Sequence, residues 1–382
     1  MVAPITCFEL NSFGGPVRWR AQASICCTIG NTNIHNATFH MQEASAPSAS
    51  SLPRQLILFG SPGTGKSNKV DKVIAPSLRK ASMVKTIFHP EYTYGDFMGR
   101  LMPLSQPDGR VSYCYYPGHF MQALAKALML HRQATQASPP EQADDVLLVI
   151  DEINRGNSAA IFGTAFQLLD RDENGWSSYD VNISDMELEG LLQLMGIHRC
   201  TRYPGLYETE QGGRKALAEL FEGDLDFLAQ RRIKIPPNLH LVGTMNTSDE
   251  SIYYMDSAFK RRWSWEYMPL DGSNPPAPPT DLSEKDWLAF VAQLNAFICR
   301  HAASVRKVED KLIGHFFIRI RNGVIPGSEI QNKLMFFLWD TVFARDKRPL
   351  EDLLADGSKL LTFGDFSAQA SRFVERVASP EA

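Results

Sequence analysis

The feature that most constrains this fold is an eight-residue run, Gly60–Ser67, which follows a short apolar stretch, Leu56–Phe59. The run satisfies the pattern G-x-x-x-x-G-K-S/T in full. Its glycines allow successive backbone N–H groups to point at phosphate oxygens, Lys66 adds a positive charge, and Ser67 offers a hydroxyl group to Mg²⁺. The pattern therefore predicts a phosphate-binding loop between a buried strand and a helix. The predicted nucleotide-binding residues are Gly60, Ser61, Pro62, Gly63, Thr64, Gly65, Lys66 and Ser67.

A second apolar run, Val146–Ile150, ends in two carboxylates, Asp151 and Glu152. Ligands of open α/β sheets bind at the carboxyl ends of the strands, so we expect these side chains beside the phosphate loop. We predict that Asp151 and Ser67 hold Mg²⁺ and that Glu152 orients or deprotonates the attacking water. A strand that is simply capped by acids is the alternative. Arg155 is either a surface arginine or lies near a phosphate of its own or a neighbouring subunit.

Apolar runs alternate with helical stretches along much of the chain. The predicted helices include Phe120–Arg132 and Ala159–Leu169. This alternation is typical of an α/β fold with a parallel sheet covered by helices on both faces. The predicted strands are Leu56–Phe59, Met83–Phe88, Val146–Ile150, Leu239–Thr244 and Trp263–Tyr267.

The composition is that of a globular protein. The chain has 382 residues, a net charge of −4, 44% hydrophobic and 21% charged residues, and its length predicts about two or three domains. Residues 1–50 are predicted to be an irregular leader and linker, and residues 51–270 an α/β core. A proline-rich break precedes a smaller, mainly helical domain, 271–382, with helices over Glu284–His301 and Glu329–Arg345.

Several other classes of protein are excluded by the composition. No apolar stretch approaches about 18 residues, so we expect no membrane-spanning helix. The near-neutral net charge does not indicate the extended basic surface that is typical of nucleic-acid-binding proteins. Six cysteines without a C-x-x-C pair indicate free thiols and a cytoplasmic location. The spacing of Cys26, Cys27, His35 and His40 fits no standard zinc site.

Four stretches together resemble the AAA+ NTPase subunit of McrB-type, methylation-dependent restriction systems. They are Leu58–Ser67, the aromatic and acidic segment Phe88–Phe97, Ile150–Arg155 and Met245–Ser251. The last stretch is similar to the family signature M-N-T-A-D-R-S. The resemblance extends through Asp256–Trp263 to Ile313–His315 and covers about residues 55–345. It implies an AAA+ P-loop NTPase fold in which the C-terminal helical domain forms a lid.

The resemblance also implies roles for single residues. It makes Asn246 the sensor that holds water in line with the γ-phosphate and Asp249 a second catalytic polar group; by themselves, such residues after a strand are more typical of a turn. It places Arg261 and Arg262 where ring-forming NTPases often reach a neighbour's nucleotide, with a solvated basic face as the alternative. Glu250 stands where the family has arginine, so the role of that arginine does not transfer to this chain.

An insertion separates the two arms of a predicted hairpin, Val181–Ile183 and Ile233–Ile235. Between them, Asp185–Arg231 has the apolar spacing of amphipathic helices, which predicts a helical insertion over about residues 185–231. Hairpins at this point often project from the ring of such NTPases, which favours contact with a partner. An inert helical decoration is the alternative.

The function that the resemblance implies is Mg²⁺-dependent NTP hydrolysis, with GTP or ATP as the nucleotide and GTP favoured. It also implies a hexameric homo-oligomeric ring, a separate McrC-like nuclease subunit, and contact with DNA through the complex. Two alternatives are a MoxR-like AAA+ ATPase chaperone that remodels a protein partner and a scaffold that binds nucleotide with scarcely any hydrolysis. The first explains Met245–Ser251 less well, and the presence of Glu152 and Asn246 argues against the second.

Overall fold

The computed structural model describes residues 52–379, apart from 106, 108, 210–211, 224, 248–252, 254, 271–275, 319, 321–322, 356 and 358. The described residues belong to one compact unit. The predicted leader 1–50, the four residues considered as zinc ligands, Asp249 and Glu250 lie outside them. The division between core and lid at residue 270 stays a prediction.

A five-stranded parallel sheet, here called the central sheet, contains all five predicted strands. Because the strands are parallel, their carboxyl ends lie at one edge of the sheet. The first strand of the chain lies between the last two, and open α/β sheets bind ligands where the strand order reverses in this way. In spatial order the strands are Ser264–Tyr267, Gln55–Gly60, Leu239–Asn246, Val146–Asp151 and Ser82–Ile87.

Both faces of the central sheet are buried. Leu56 and Leu58 point to one face and pack against the helical segment 66–77, which follows the phosphate loop. Ile57 and Phe59 point to the other face and join the larger core, which includes the helix His119–Gln136. Buried parallel strands of this kind need apolar residues on both sides, which is why continuous apolar runs predicted them. The predicted α/β class, with helices flanking a parallel sheet, is confirmed.

One predicted helix is broken in the structure. The segment predicted as a single helix over Ala159–Leu169 consists of an α-helix, Ser158–Phe162, and 3₁₀ turns over Gly163–Leu169. The break is at Gly163, which has a φ of +49°. A Cβ at this position would lie 2.8 Å from the ring of Tyr94, so only glycine fits here.

The C-terminal region is helical, as predicted. Glu284–Arg300 matches the first predicted helix. The second ends earlier than predicted, at Val342, and alternates α- and π-type turns over 327–342. Its Phe336 ring lies 4.2 Å from that of Phe59, centroid to centroid, so these helices pack on the first strand of the central sheet. The remaining helical segments are Ala302–Ser304, Val308–Lys311, His315–Phe317, Arg348–Leu354, Phe363–Ser367 and Ala370–Ala378.

The insertion is only partly helical. Its arms pair as predicted, Val181–Asn182 against Arg232–Ile233, and a capped helix follows at Asp185–Leu194. Residues 197–216, predicted as helical, instead form a three-stranded antiparallel sheet, here called the insertion sheet. The apolar spacing that predicted helices does not continue through these short strands, and turns set their pairing. The strands are Ile197–Arg199, Leu206–Thr209 and Arg214–Ala216, and two short helices follow at Leu217–Leu220 and Asp226–Ala229.

A β-hairpin of Gly99–Ser105 and Val111–Pro117 follows the short helix Tyr94–Phe97 and was not predicted from the sequence. Its Tyr115 ring packs over Gly190, where an added Cβ would lie 2.3 Å from the ring. The hairpin thereby rests on the first helix of the insertion. None of the helices within the described ranges is long and apolar enough to cross a membrane.

Candidate functional site

The phosphate loop lies at the carboxyl end of the first strand. Gly63 and Gly65 both have a φ of 82°, a left-handed conformation that favours glycine. A Cβ built on either of them meets no heavy atom within 4 Å, whereas one on Gly60 would lie 2.6 Å from the carbonyl oxygen of Met268. Lys66 is the first residue of the following helix. The loop is therefore closed on the side of the sheet and open where phosphate oxygens are expected.

Lys66 is buried, with 8% of its surface exposed. Its ammonium group donates hydrogen bonds to the carbonyl oxygens of Gly60, at 3.1 Å, and Ser61, at 2.8 Å. These bonds hold the charged end of the side chain over the loop. A cation in this position is suited to bind the β- and γ-phosphates of a nucleotide.

Thr244 links the two carboxylates of the site. Its hydroxyl group donates to Oδ1 of Asp151 at 2.9 Å and accepts a hydrogen bond from the backbone N–H of Glu152 at 3.3 Å. Thr244 is 3% exposed and lies in the neighbouring strand of the central sheet. The sequence analysis did not identify it, although a hydroxyl group inside a buried apolar strand is the signal that marks it.

Glu152 is held in an unusual backbone conformation, with a φ of 54°. Such strain in a residue other than glycine is typical of functional sites. Its Oε1 accepts a hydrogen bond from Nδ2 of Asn246 at 2.9 Å, and Nδ2 of Asn154 donates to the backbone carbonyl of Asn246 at 3.0 Å. Within the described part of the chain, the buried Oε2 of Glu152 has no hydrogen-bond partner. The carboxylate is therefore fixed through Oε1, while the buried Oε2 has unused hydrogen-bonding capacity.

These groups surround an open cavity of about 560 Å³ at the carboxyl edge of the central sheet. The cavity brings together four of the residues that the sequence analysis singled out, Ser67, Asp151, Glu152 and Asn246. The hydroxyl and carboxylate oxygens of Ser67 and Asp151 are ligands of the kind that Mg²⁺ prefers, so the donor set fits this metal. The full lining is Pro62, Gly63, Gly65, Lys66, Ser67, Asn68, Ile87, Asp151, Glu152, Thr244 and Asn246.

The aromatic segment Phe88–Phe97 supports the site without lining the cavity. Three of its aromatic rings are buried. The hydroxyl group of Tyr92 lies 3.1 Å from Oγ1 of Thr86 and 2.9 Å from Nδ1 of His119, and burial raises the pKa of Tyr92 to about 12. The neutral phenol thus connects Ser82–Ile87, an edge strand of the central sheet, to the helix His119–Gln136.

None of the three predicted arginines is among the described residues that line this cavity. Arg155 is exposed, and its backbone N–H donates to the carbonyl oxygen of Glu152 at 2.8 Å. Arg261 and Arg262 follow the short helix Ser257–Lys260 and precede the strand Ser264–Tyr267. Since this strand begins opposite Leu56, both arginines lie at the amino edge of the central sheet. They do not reach the nucleotide cavity of their own chain.

The environments of Arg261 and Arg262 differ sharply. Arg262 donates two hydrogen bonds to Oδ2 of Asp170, at 2.9 and 2.7 Å, and its guanidinium group lies 4.0 Å from the centre of the Phe166 ring. Arg261 is exposed, and its backbone carbonyl accepts a hydrogen bond from Nζ of Lys333 at 2.6 Å. The backbone of Arg261 is therefore anchored while its side chain faces solvent.

A second cavity of about 570 Å³, here called the arginine pocket, surrounds these residues. Arg171 lies in its wall and is buried, and this burial together with the charge of Arg54 lowers the pKa of Arg171 below its usual value. The charged residues in its lining are Arg54, Asp170, Arg171, Arg261, Arg262, Glu329 and Lys333.

Comparison with known proteins finds relatives along most of the chain. The family model of the AAA domain (dynein-related subfamily) matches residues 55–263. The chain is 29% identical over 319 residues to the type II restriction enzyme BsuMI component YdiS of Bacillus subtilis, a match that covers 77% of this chain and 80% of that protein. It is 25% identical over 302 residues to the type IV methyl-directed restriction enzyme EcoKMcrB subunit of Escherichia coli, covering 74% of this chain and 52% of that protein. The chain thus spans about half the length of the E. coli relative.

Proposed function

We propose that this chain, which belongs to the dynein-related subfamily of AAA domains, hydrolyses a nucleoside triphosphate as the motor of a restriction complex. The predicted resemblance to McrB-type AAA+ NTPases is confirmed by the two relatives, and the chain is a P-loop NTPase. The observation that carries the proposal is the meeting of Lys66, Asp151, Glu152 and Asn246 at one cavity.

In this mechanism the phosphate loop and Lys66 bind the β- and γ-phosphates. Ser67 and Asp151 would hold Mg²⁺, which when bound neutralises phosphate charge. Glu152 orients a water molecule through Oε2 and accepts its proton as the water oxygen bonds to the γ-phosphorus. The bond from that phosphorus to the bridging oxygen breaks, and the nucleoside diphosphate leaves. Asn246 contributes by fixing the other oxygen of Glu152, at 2.9 Å.

The described lining of the cavity includes no arginine that would stabilise charge on the transferred phosphoryl group. Among its described lining residues, Lys66 is the only one with a cationic side chain. We propose that Arg261 of a neighbouring copy supplies this charge, because it is exposed and its backbone is held by Lys333. Arg262, bound to Asp170, would instead stabilise the loop that carries Arg261. A contact between the carboxyl edge of one copy and the amino edge of the next is head-to-tail, which is compatible with a closed hexameric ring.

We also propose a separate nuclease partner and contact with DNA within the complex. The names of the relatives support this, since one is a component and the other a subunit of a restriction enzyme. A phosphate loop binds the triphosphate and not the base, so our choice of GTP as the favoured nucleotide rests on the family resemblance alone. We also propose, as the sequence analysis predicted, that Arg155 lies near a phosphate and that Asp249 is a catalytic polar group.

The test is phosphate release by the purified chain, with GTP and ATP compared, in Mg²⁺ and after its removal with a chelator. We expect Mg²⁺-dependent release that is faster with GTP. Asp151→Asn should raise the Mg²⁺ concentration needed for half-maximal turnover, whereas Asp226→Asn, a control in the insertion, should not. Equal turnover with and without the chelator would contradict the Mg²⁺ site, and faster turnover of ATP would contradict the choice of nucleotide.

A further inference from the structure

The insertion sheet carries an unusual row of side chains across its three strands. Arg199 pairs with Tyr207 in the neighbouring strand, and Tyr207 pairs with Lys215 in the third. Directly paired residues of antiparallel strands share one face of the sheet. An aromatic ring therefore lies between two cations on this face, here called the cationic face.

On the opposite face of the insertion sheet, side chains of opposite charge are paired with each other. There, His198 pairs with Glu208, and Glu208 pairs with Arg214. Nε of Arg214 lies 2.7 Å from Oε1 of Glu208, and its guanidinium group stacks 4.5 Å from the centre of the Tyr203 ring. The charges of this second face are satisfied within the sheet.

The cations of the cationic face are not satisfied in this way. Arg199 and Lys215 are exposed, and neither makes an ion pair or a side-chain hydrogen bond with any residue that the structure describes. The same holds for the exposed Arg202 in the turn that follows the first strand. Tyr207 is partly buried and packs against the hydrophobic core, which fixes its ring on the sheet. The face thus presents exposed positive charge on either side of an aromatic ring that is anchored against the core.

We propose that the cationic face binds the sugar-phosphate backbone of DNA. Neighbouring strands lie about 4.8 Å apart, so Arg199 and Lys215 are separated by roughly 10 Å across Tyr207. That distance corresponds to about three nucleotide steps at ~3.4 Å per step along one strand. Cations that contact phosphates around a ring able to stack on a base are the elements of such surfaces. The inference rests on the proposed function, in which the complex acts on DNA.

The local charge contrasts with that of the whole molecule. The chain has a net charge of −4, so attraction to DNA requires a local excess of positive charge. Residues 197–216 contain four arginines and lysines against two glutamates. Because Arg214 is paired with Glu208, the positive charge of this local surface that is unpaired among the described residues comes from Arg199, Arg202 and Lys215.

The experiment is DNA binding by the full chain over a series of salt concentrations, with and without a nucleoside triphosphate. A labelled duplex and a single strand of the same sequence are the probes, read by fluorescence anisotropy. Replacing both cations (Arg199→Gln with Lys215→Gln) should weaken binding about tenfold at low salt and reduce the logarithmic salt slope by about 1.8 for duplex or about 1.4 for single strand. Lys285→Gln with Arg306→Gln, which removes two exposed cations in the C-terminal region, is the matched control and should change neither.

Tyr207→Leu keeps an apolar side chain against the core and removes the stacking ring. We expect it to weaken binding of the single strand about fivefold or more, with a smaller effect on the duplex if the two cations alone hold it. The inference is overturned if the wild-type chain binds neither probe, or if the double variant keeps the wild-type affinity and salt slope. Phosphate release measured in parallel separates the two proposals. If the double variant loses DNA binding but hydrolyses nucleotide normally, the result supports the cationic face. If the wild-type protein binds DNA through this face without hydrolysing nucleotide, the result contradicts the proposed function alone.

Discussion

The two edges of the central sheet have opposite chemistry. At the carboxyl edge, Asp151, Glu152 and Asn246 surround a cavity whose one described cationic side chain is that of Lys66. At the amino edge, arginines and lysines outnumber the acids of the arginine pocket. One edge therefore has the groups that we propose hold a phosphate and activate the attacking water, and the other has surplus positive charge.

Under the proposed function, this difference makes a single copy an incomplete enzyme. Parallel strands place the two ends of the sheet apart, so Arg261 cannot serve the cavity of its own chain. A head-to-tail contact between copies would bring the two edges together. The structure also separates two adjacent arginines that look alike in the sequence, because Arg262 has Asp170 as its partner and Arg261 faces solvent.

The largest expected effect comes from the amino edge. Arg261→Ala should lower turnover by about 10³–10⁵, since an arginine supplied in trans acts on the charge of the transferred phosphoryl group. Nucleotide affinity of the isolated chain should stay near that of the wild type. Steady-state phosphate release and a nucleotide-binding titration measure the two quantities. Arg306→Ala, an exposed arginine in the C-terminal region, is the control, and full turnover in Arg261→Ala would remove the amino edge from the mechanism.

Glu152→Gln tests the carboxyl edge. The amide keeps the size of the side chain and cannot accept the proton of water, so turnover should fall by about 10²–10⁴. Nucleotide should still bind. The exposed Glu141→Gln is the matched control. If Glu152→Gln hydrolysed nucleotide at the wild-type rate, Glu152 would not be the catalytic base.

Lys66→Met should act on binding. The variant loses the charged contact with the phosphates, and we expect nucleotide affinity to fall by about 10- to 100-fold, the usual effect of one hydrogen bond to a charged group. Lys72→Met, an exposed lysine on the same helical segment, should leave affinity unchanged. Equal affinities in the two variants would show that the phosphate loop does not bind the triphosphate as described.

Arg262→Met has the smallest expected effect and concerns stability. It leaves Asp170 without the partner that now lies 2.7 Å away, so we expect the free energy of unfolding to fall by about 1–3 kcal/mol. Combining it with Asp170→Asn should cost less than the sum of the single changes. Denaturant unfolding measures both. A variant of normal stability with no turnover would reverse the roles assigned to Arg261 and Arg262.

Much of the core could be predicted from the sequence, for physical reasons. Strands buried on both faces are continuous apolar runs, and polar residues such as Asp151 and Asn246 mark where they end. Parallel pairing then brings these residues to one edge. The phosphate loop was equally predictable because its glycines and Lys66 are required by local geometry.

Other features depend on contacts that no local pattern encodes. The helix predicted over Ala159–Leu169 is broken at Gly163, where the ring of Tyr94, far away in the chain, leaves no room for a Cβ. The insertion sheet has strands of three or four residues, which are too short to show a regular alternation of hydrophobic and polar residues. The partner of Arg262 lies 92 positions away in the chain, so sequence alone could not separate its role from that of Arg261.

The most direct test of the link between the two edges mixes two inactive variants, Glu152→Gln and Arg261→Ala. Each variant retains the edge that the other lacks, so about one quarter of the contacts in randomly mixed rings would combine an intact Glu152 with a neighbour's intact Arg261. We predict that phosphate release, nearly absent in either variant alone, returns on mixing to roughly that fraction of the wild-type rate. If the two variants co-assemble and the mixture stays as inactive as its components, the two edges do not act together across copies.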